Sequence, residues 1–151
     1  MMMAARVFVD TNILLRVVLS EMSQHAQADA LLKRVISEGA ELWISGQVIR
    51  EFVVQATHPR TLNVPLTIRQ AVYEVLAFDG LFHIADETSA VRSQLLELLL
   101  EYPTLGKQVH DANLVATMLV YGIDTLLTMN VADLKRFADK ITLLSPLDTS
   151  N

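Results

Sequence analysis

Four acidic residues, Asp10, Glu51, Asp111 and Asp133, share one kind of position: each stands just beyond an apolar run of strand character, or in a helical stretch beside one. Asp10 ends the run Arg6-Val-Phe-Val, β-branched and aromatic, and is followed by Thr11, Asn12 and an apolar helical pattern. Glu51 follows the run ELWIS (41–45), Asp111 opens the helical stretch VHDANLVATMLVYG that leads into IDTLLT, and Asp133 lies in the short helix beyond that run. In an open parallel sheet the strand C-termini and helix N-termini meet at one edge, and ligands bind in the crevice there. The spacing therefore predicts that these carboxylates converge. Two carboxylates about 4 Å apart repel by roughly 4 kcal/mol at an effective dielectric of about 20, so such a cluster calls for a divalent cation. Cysteine is absent, and hard oxygen ligands favour Mg2+ or Mn2+ over zinc.

The elements that must position these acids follow from periodicity and turn chemistry. Asn12 is expected to cap a helix running to about Leu19, and a second helix is expected from near Ser23 to Glu38, closed by Gly39. After the strand 41–45, the stretch GQVIREFVVQAT has helical spacing that places Glu51 between apolar pairs, and His58-Pro59 breaks it. Residues 60–65 read as a loop, Thr67 as the cap of a helix ending near Asp79-Gly80, and Phe82-His-Ile-Ala as a third strand. From Thr88 to Tyr102 the leucines 95, 96, 98, 99 and 100 exceed one helical stripe, which predicts core packing plus a subunit contact. Pro103 and Gly106 punctuate a loop, the helix opened by Asp111 closes at Gly122, and strands follow at Ile123–Thr128 and Ile141–Leu144 around a short helix from Asn130 to Phe137. Strands alternating with helices imply an α/β fold: three α/β/α layers about a central, mainly parallel sheet of about five strands, with right-handed crossovers.

Composition narrows the classes. At 151 residues, 52% hydrophobic and 19% charged, the chain has the size and apolar content of one domain spanning 1–151. No apolar run reaches the roughly 18 residues of a membrane span, and MMMAAR has neither the apolar region nor the cleavage site of a signal peptide, so a cytoplasmic protein without membrane contact is expected. The net charge of −5 argues against a broadly basic nucleic-acid surface. Assigning four of the 17 acids to a site leaves 13 against 12 basic residues, a nearly neutral remainder. Nucleic acid would then be held by the metal and a few cations among Arg16, Arg50, Lys107 and Lys135, with a shallow salt dependence.

VDTN after the first strand, REF after the second, HDANLVAT opening a late helix and LLTMNVADL near the end resemble the PIN domain, in the same order and across nearly the whole chain. The resemblance implies an α/β/α fold and a Mg2+- or Mn2+-dependent ribonuclease. Small single-domain members of this length resemble the VapC toxins of toxin–antitoxin pairs, which implies a homodimer, an RNA substrate and a cognate antitoxin. It also implies Asp10, Glu51 and Asp111 as the three principal acids, with Thr11, Asn12 and Thr128 as polar supports. The chain departs from the family pattern at the fourth acid, where Asn130 stands two residues after Thr128. An amide can ligate through its oxygen without charge. Asp133, one turn further on, either compensates as a catalytic and metal-binding acid or caps its helix.

Such a cluster would carry out metal-assisted phosphodiester hydrolysis, leaving 5′-phosphate and 3′-hydroxyl ends. His110 beside Asp111 reads as a surface or capping residue and Trp43 as core. Two other classes compete with the nuclease. A haloacid-dehalogenase-like phosphatase needs a second aspartate two residues after the first, where this chain has Asn12. A non-catalytic PIN-like binding or dimerisation module is favoured only by Asn130.

Overall fold

The computed structural model describes residues 5–147, and both ends of the 1–151 span lie outside the described residues. The chain runs β1 (Arg6–Val9), α1 (Thr11–Val18), α2 (His25–Ser37), β2 (Glu41–Ser45), α3 (Gly46–Ala56), α4 (Ile68–Phe78), β3 (His83–Ala85), α5 (Ser89–Glu101), α6 (Gln108–Val120), β4 (Thr125–Leu127), α7 (Val131–Leu134), one 3-10 turn at Lys135–Phe137, and β5 (Thr142–Leu144). The five strands form one sheet in the order β3-β2-β1-β4-β5, and every pairing is parallel.

Strand β1 lies at the centre, paired Phe8 to Trp43 on one side and Phe8 to Leu126 on the other. Val7, Phe8 and Val9 are all buried, which is why this strand reads as an unbroken apolar run without alternation. Right-handed crossovers put α1 to α4 on one face and α5 to α7 on the other. The packing agrees: α1 contacts α2 and α3, and α3 contacts α4, whereas α6 contacts α5 and α7. Phe8, Ile44, Phe52, Leu126 and Leu127 are fully buried between the layers. Each such side chain contributes about 1.5–3 kcal/mol relative to exposure.

The topology also fixes where the site must lie. From β1 the chain proceeds outward through β2 and β3, then restarts on the other side of β1 at β4. The switch point lies between the C-terminal ends of β1 and β4, the place where ligands bind in open parallel sheets. Asp10 and Thr128 are the residues that follow those two ends.

Several boundaries carry their expected chemistry. Thr67 and Gln70 form a reciprocal capping box, and Gly39 at φ 87° and Gly122 at φ 67° leave the ends of α2 and α6 in the left-handed region that favours glycine. Others differ. The cap expected at Asn12 falls on Asp10, whose Oδ1 accepts the Thr11 N–H at 2.7 Å; the Asn12 side chain is instead drawn to the β4–α7 turn, where its Oδ1 accepts the Met129 N–H at 2.9 Å. Helix α2 starts at His25, later than expected, because Gln24 before it is left-handed. Trp43 is only half-buried, its ring stacked on His83 at 4.9 Å and topped by the Arg6 guanidinium at 5.4 Å. The leucines of α5 divide: Leu98 is buried and Leu95 and Leu99 pack on the core, while Leu96 and Leu100 are 56% and 91% exposed. A larger open apolar face lies on α4, at Ile68, Val72, Tyr73 and Leu76. No described helix is long and apolar enough to cross a membrane.

Candidate active site

A cleft of about 490 Å³ opens at the switch point, and Asp10, Glu51, Asp111 and Asn130 all line it. Their elements bring them there from four places in the chain: the end of β1, the middle of α3, the first turn of α6 and the turn after β4.

Asp10 is buried, and three donors fix its carboxylate. Oδ1 takes the Thr11 N–H, while Oδ2 takes the Thr128 hydroxyl at 2.8 Å and the Asn12 amide at 3.2 Å. Thr128, itself fully buried, also accepts the Asn130 N–H at 3.0 Å. One hydroxyl thus joins the acid of β1 to the turn after β4. Burial pushes the Asp10 pKa from 3.8 up to about 6; Thr128 and Thr11 oppose the rise, and the charges of Glu51 and Asp111 add to it.

Glu51 is held by two donors, the Thr11 hydroxyl on Oε2 at 2.8 Å and the Gln47 amide on Oε1 at 2.9 Å. Gln47 lies one turn before Glu51 on α3 and is buried. Its amide also donates to the His110 carbonyl at 2.9 Å, and its Oε1 accepts from Asn113 on α6 at 2.9 Å. Gln47 and Asn113 therefore tie the helix bearing Glu51 to the helix bearing Asp111. Neither was singled out from the sequence; the one local signal was a glutamine four residues before the acid, which alone reads as an ordinary helix pair.

Asp111 is half-buried and takes no hydrogen bond among the described residues. Burial raises its pKa, as do Asp133 and Glu51, while Arg136 and His110 pull it down. Asp133 is exposed in the first turn of α7, close enough to act on Asp111 but outside the residues lining the cleft. Asn130 lines the cleft with its side chain uncommitted, since its cap position carries no side-chain hydrogen bond. None of the salt bridges among the described residues uses Asp10, Glu51, Asp111 or Asp133.

Of the cations considered from sequence, Arg16 faces this cleft and Arg50 pairs with Glu87 at 3.4 Å; Lys107 and Lys135 do not line it. Arg60, from the loop between α3 and α4, lines the cleft beside Arg16. Its position depends on how that loop folds back, which no periodicity reveals.

Asp10, Glu51, Asp111 and Asn130 offer the cleft three carboxylates and an amide oxygen, a set that suits a hard divalent cation. Among the described residues, however, no three acidic or histidine side chains are drawn closely enough together to enclose one ion. The chemistry of the donors fits a metal, and hydrogen bonds fix the carboxylates of Asp10 and Glu51. Asp111 is brought to the same cleft without being closed on them.

A family model of the PIN domain matches residues 7–140. No curated protein matches the chain. Among solved structures, VapBC-1 from nontypeable Haemophilus influenzae matches with a TM-score of 0.69 at 13% identity, over 95% of this chain and 99% of that one. VapBC2 from Rickettsia felis, bound to a DNA fragment of its promoter, matches with a TM-score of 0.66 at 17% identity, over 93% and 98%. Mycobacterium tuberculosis VapC20, a toxin that cleaves the sarcin-ricin loop, matches with a TM-score of 0.61 at 21% identity, over 80% and 86%. These likenesses are likenesses of fold. The family match runs from β1 past α7 and takes in Asp10, Glu51, Asp111 and Asn130, and on that ground the chain belongs to the PIN-domain family.

Proposed function

We propose that the protein is a Mg2+- or Mn2+-dependent endoribonuclease and the toxin of a type II toxin–antitoxin pair. The observation that carries this reading is the gathering of Asp10, Glu51 and Asp111 on one cleft with no ion-pair partner among the described residues. Unbalanced carboxylates at a topological switch point cost stability, and a divalent cation is the partner that turns the cost into function. A cation bound there supplies an acidified water and charge neutralisation for phosphodiester hydrolysis.

The chain's own residues have separable tasks. A carboxylate offers about four acceptor positions. Asp10 spends three on Thr11, Asn12 and Thr128 and would help hold the cation with the acceptor capacity its carboxylate keeps. Glu51 spends one on each oxygen and is turned toward the cleft by Thr11 and Gln47. Asp111 would supply the third carboxylate, and Asn130 a neutral oxygen in place of a fourth. Asp133, outside the lining, acts on Asp111 through charge.

Purified protein should cleave RNA with Mg2+ or Mn2+, stop with EDTA, and lose activity in Asp10→Asn or Asp111→Asn by roughly a hundredfold or more. Cleavage that persists in EDTA, or products with 2′,3′-cyclic phosphates, would overturn the mechanism. The competing reading is a non-catalytic PIN-like module, favoured by Asn130 and by the open spacing of the acids. A thermal shift on adding Mg2+ supports the enzyme, and indifference to Mg2+ and Mn2+ supports the module.

For partners, the reading includes a cognate antitoxin and a homodimer. Support comes from solved relatives that are VapBC assemblies and from the exposed apolar residues of α4 and α5. Sedimentation at micromolar concentration should give a dimer.

A further inference from the structure

Gln24 is the one non-glycine residue with positive φ among the described residues, at φ 60° and ψ 19°. It precedes α2 and does not cap it, since no side-chain hydrogen bond reaches the first turn. A glycine would adopt this conformation without the clash that a Cβ meets there. The glutamine side chain must therefore be sought elsewhere, and its Oε1 accepts the Arg16 Nε–H at 3.3 Å. The Ser23 hydroxyl donates to the same oxygen at 3.2 Å. Arg16 in turn donates from Nη1 to the Asn12 carbonyl at 2.8 Å.

These bonds hold the guanidinium at Nε and at Nη1, and Nη2 meets no acceptor among the described residues. Arg16 is half-buried, pairs with no carboxylate among the described residues, and lines the same cleft as Asp10, Glu51 and Asp111. Its remaining N–H groups meet no protein acceptor among the described residues. A guanidinium that is partly desolvated, fixed by neutral acceptors at two of its nitrogens and unbonded at Nη2 keeps charge-assisted donors for a phosphate oxygen. Arg60, the other cation of the cleft, is exposed on a loop and has no comparable support.

We propose that Arg16 is the substrate-phosphate clamp of this cleft and that Gln24, through its strained backbone, is the residue that positions it. The proposal rests on the reading that the cleft takes RNA. A strand entering a wall of carboxylates needs a fixed cation beyond the metal, and a preset arginine loses less rotamer freedom on binding than a free one. Strain kept at Gln24 is then tied to binding, as strained residues near functional sites commonly are.

The test measures binding of a short labelled oligouridylate with Mg2+, in an Asp111→Asn background that removes cleavage. Arg16→Gln should weaken binding roughly tenfold and make the plot of log affinity against log salt shallower by about 0.7, the loss of one phosphate contact on a single strand. Gln24→Gly should weaken binding roughly threefold while melting no lower than the background protein, because glycine relieves the strain. Lys33→Gln, which alters a surface pair with Asp29 on α2, should change neither. An uncharged morpholino of the same sequence should not distinguish Arg16→Gln from the background. If Arg16→Gln keeps both affinity and salt slope while the background protein binds, the clamp is wrong and the nuclease reading stands. If Gln24→Gly melts lower and binds equally well, Gln24 is structural and its positioning role is wrong. If the background protein fails to bind the oligonucleotide while the parent cleaves RNA, the clamp is wrong and the nuclease reading stands; if the parent does not cleave RNA with Mg2+ or Mn2+ either, the nuclease reading falls and takes the clamp with it. Should Arg16→Gln not fold, Gln24→Gly decides by itself.

Discussion

On the β1 and α3 side of the cleft, Asp10 accepts three hydrogen bonds and Glu51 two; on the α6 and α7 side, the side chains of Asp111, Asn130 and Asp133 accept none from the described residues. The first wall is oriented by the fold itself, because its donors come from the start of α1, from Thr128 beyond β4 and from Gln47 on α3. The second is placed only by the backbone of a helix and a turn. The two walls also bear their charge differently. Asp10 is penalised chiefly by burial, with its own hydrogen bonds opposing the rise, whereas Asp111, penalised by burial first, has a neighbouring acid, Asp133, as the next cause and no hydrogen bonds to offset it. A preset wall is costly to disturb and a loose one is cheap to rearrange, so mutations on the two sides should differ in size and in sign.

The largest effect should come from titrating the preset wall. The Asp10 pKa rises from 3.8 to about 6 on folding, so between those values the folded state binds the extra proton. The associated stability is fully present below pH 3.8 and is lost as pH rises through about 6. In EDTA the protein should therefore be less stable at pH 7.5 than at pH 5, and Asp10 accounts for at most about 3 kcal/mol over the full window. Asp10→Asn should flatten that part of the profile. Chemical denaturation at the two pH values, parent against mutant, measures it, and identical pH slopes would show that Asp10 ionises freely. Asp111 shifts in the same direction and adds to the parent slope.

Next in size is the hub that makes the first wall rigid. Thr128→Val keeps the shape but strips the donor from Asp10 Oδ2 and the acceptor from the Asn130 N–H. Asp10 Oδ2 keeps the Asn12 amide, so losing the two bonds costs about 1–2 kcal/mol, and metal affinity should fall roughly 10–100-fold because the ligand loses its orientation. Thr128→Ser should retain most of both. Denaturation curves and Mg2+ titration read the two quantities separately; a valine variant with unchanged Mg2+ response would show that Asp10 needs no support from β4.

The same contrast explains what could be read from the chain beforehand. The strand Glu41–Ser45, the Thr67 cap and the glycines at 39 and 122 were legible because local sterics and hydrogen bonds decide them. The placement of Asp10, Glu51 and Asp111 on one edge was legible because parallel topology turns a position in sequence into a position in space. Of the residues that tie them, Thr11, Asn12 and Thr128 were named through the resemblance, while Gln47 and Asn113 were not. Gln47 acts through the crossing of α3 with α6, and Asn12 serves the turn after β4 where its neighbourhood suggested a helix cap. Trp43 read as core from its apolar neighbours, but its ring lies against His83 and Arg6 and is only half-covered. Leu96 and Leu100 separate from Leu98 only once α6 is known to cover one side of α5.

The smallest effects belong to the loose wall, and there the sign is the informative part. Asp111 faces the charges of Glu51 and Asp133 without a hydrogen bond to offset them. Asp111→Asn keeps the shape and removes the charge, so in EDTA it should melt slightly higher than the parent, by less than about 1 kcal/mol, because solvent screens much of the repulsion at a half-open site. If Asp111 served only the dipole of α6, the sign would reverse, with a loss of about 0.3–1 kcal/mol. Adding Mg2+ extends the contrast: a hundredfold excess over Kd stabilises a binding protein by about 2.7 kcal/mol, so the parent should gain and Asp111→Asn should gain less, bringing the two curves together. Asn130 and Asp133 can be ranked in the same experiment. Because Asn130 lines the cleft and Asp133 stands outside it, Asn130→Asp should enlarge the Mg2+ response, while Asp133→Asn should raise the metal-free melting point and leave that response nearly unchanged. The reverse pattern would make Asp133 the fourth ligand and would require α7 to turn toward the cleft when metal binds.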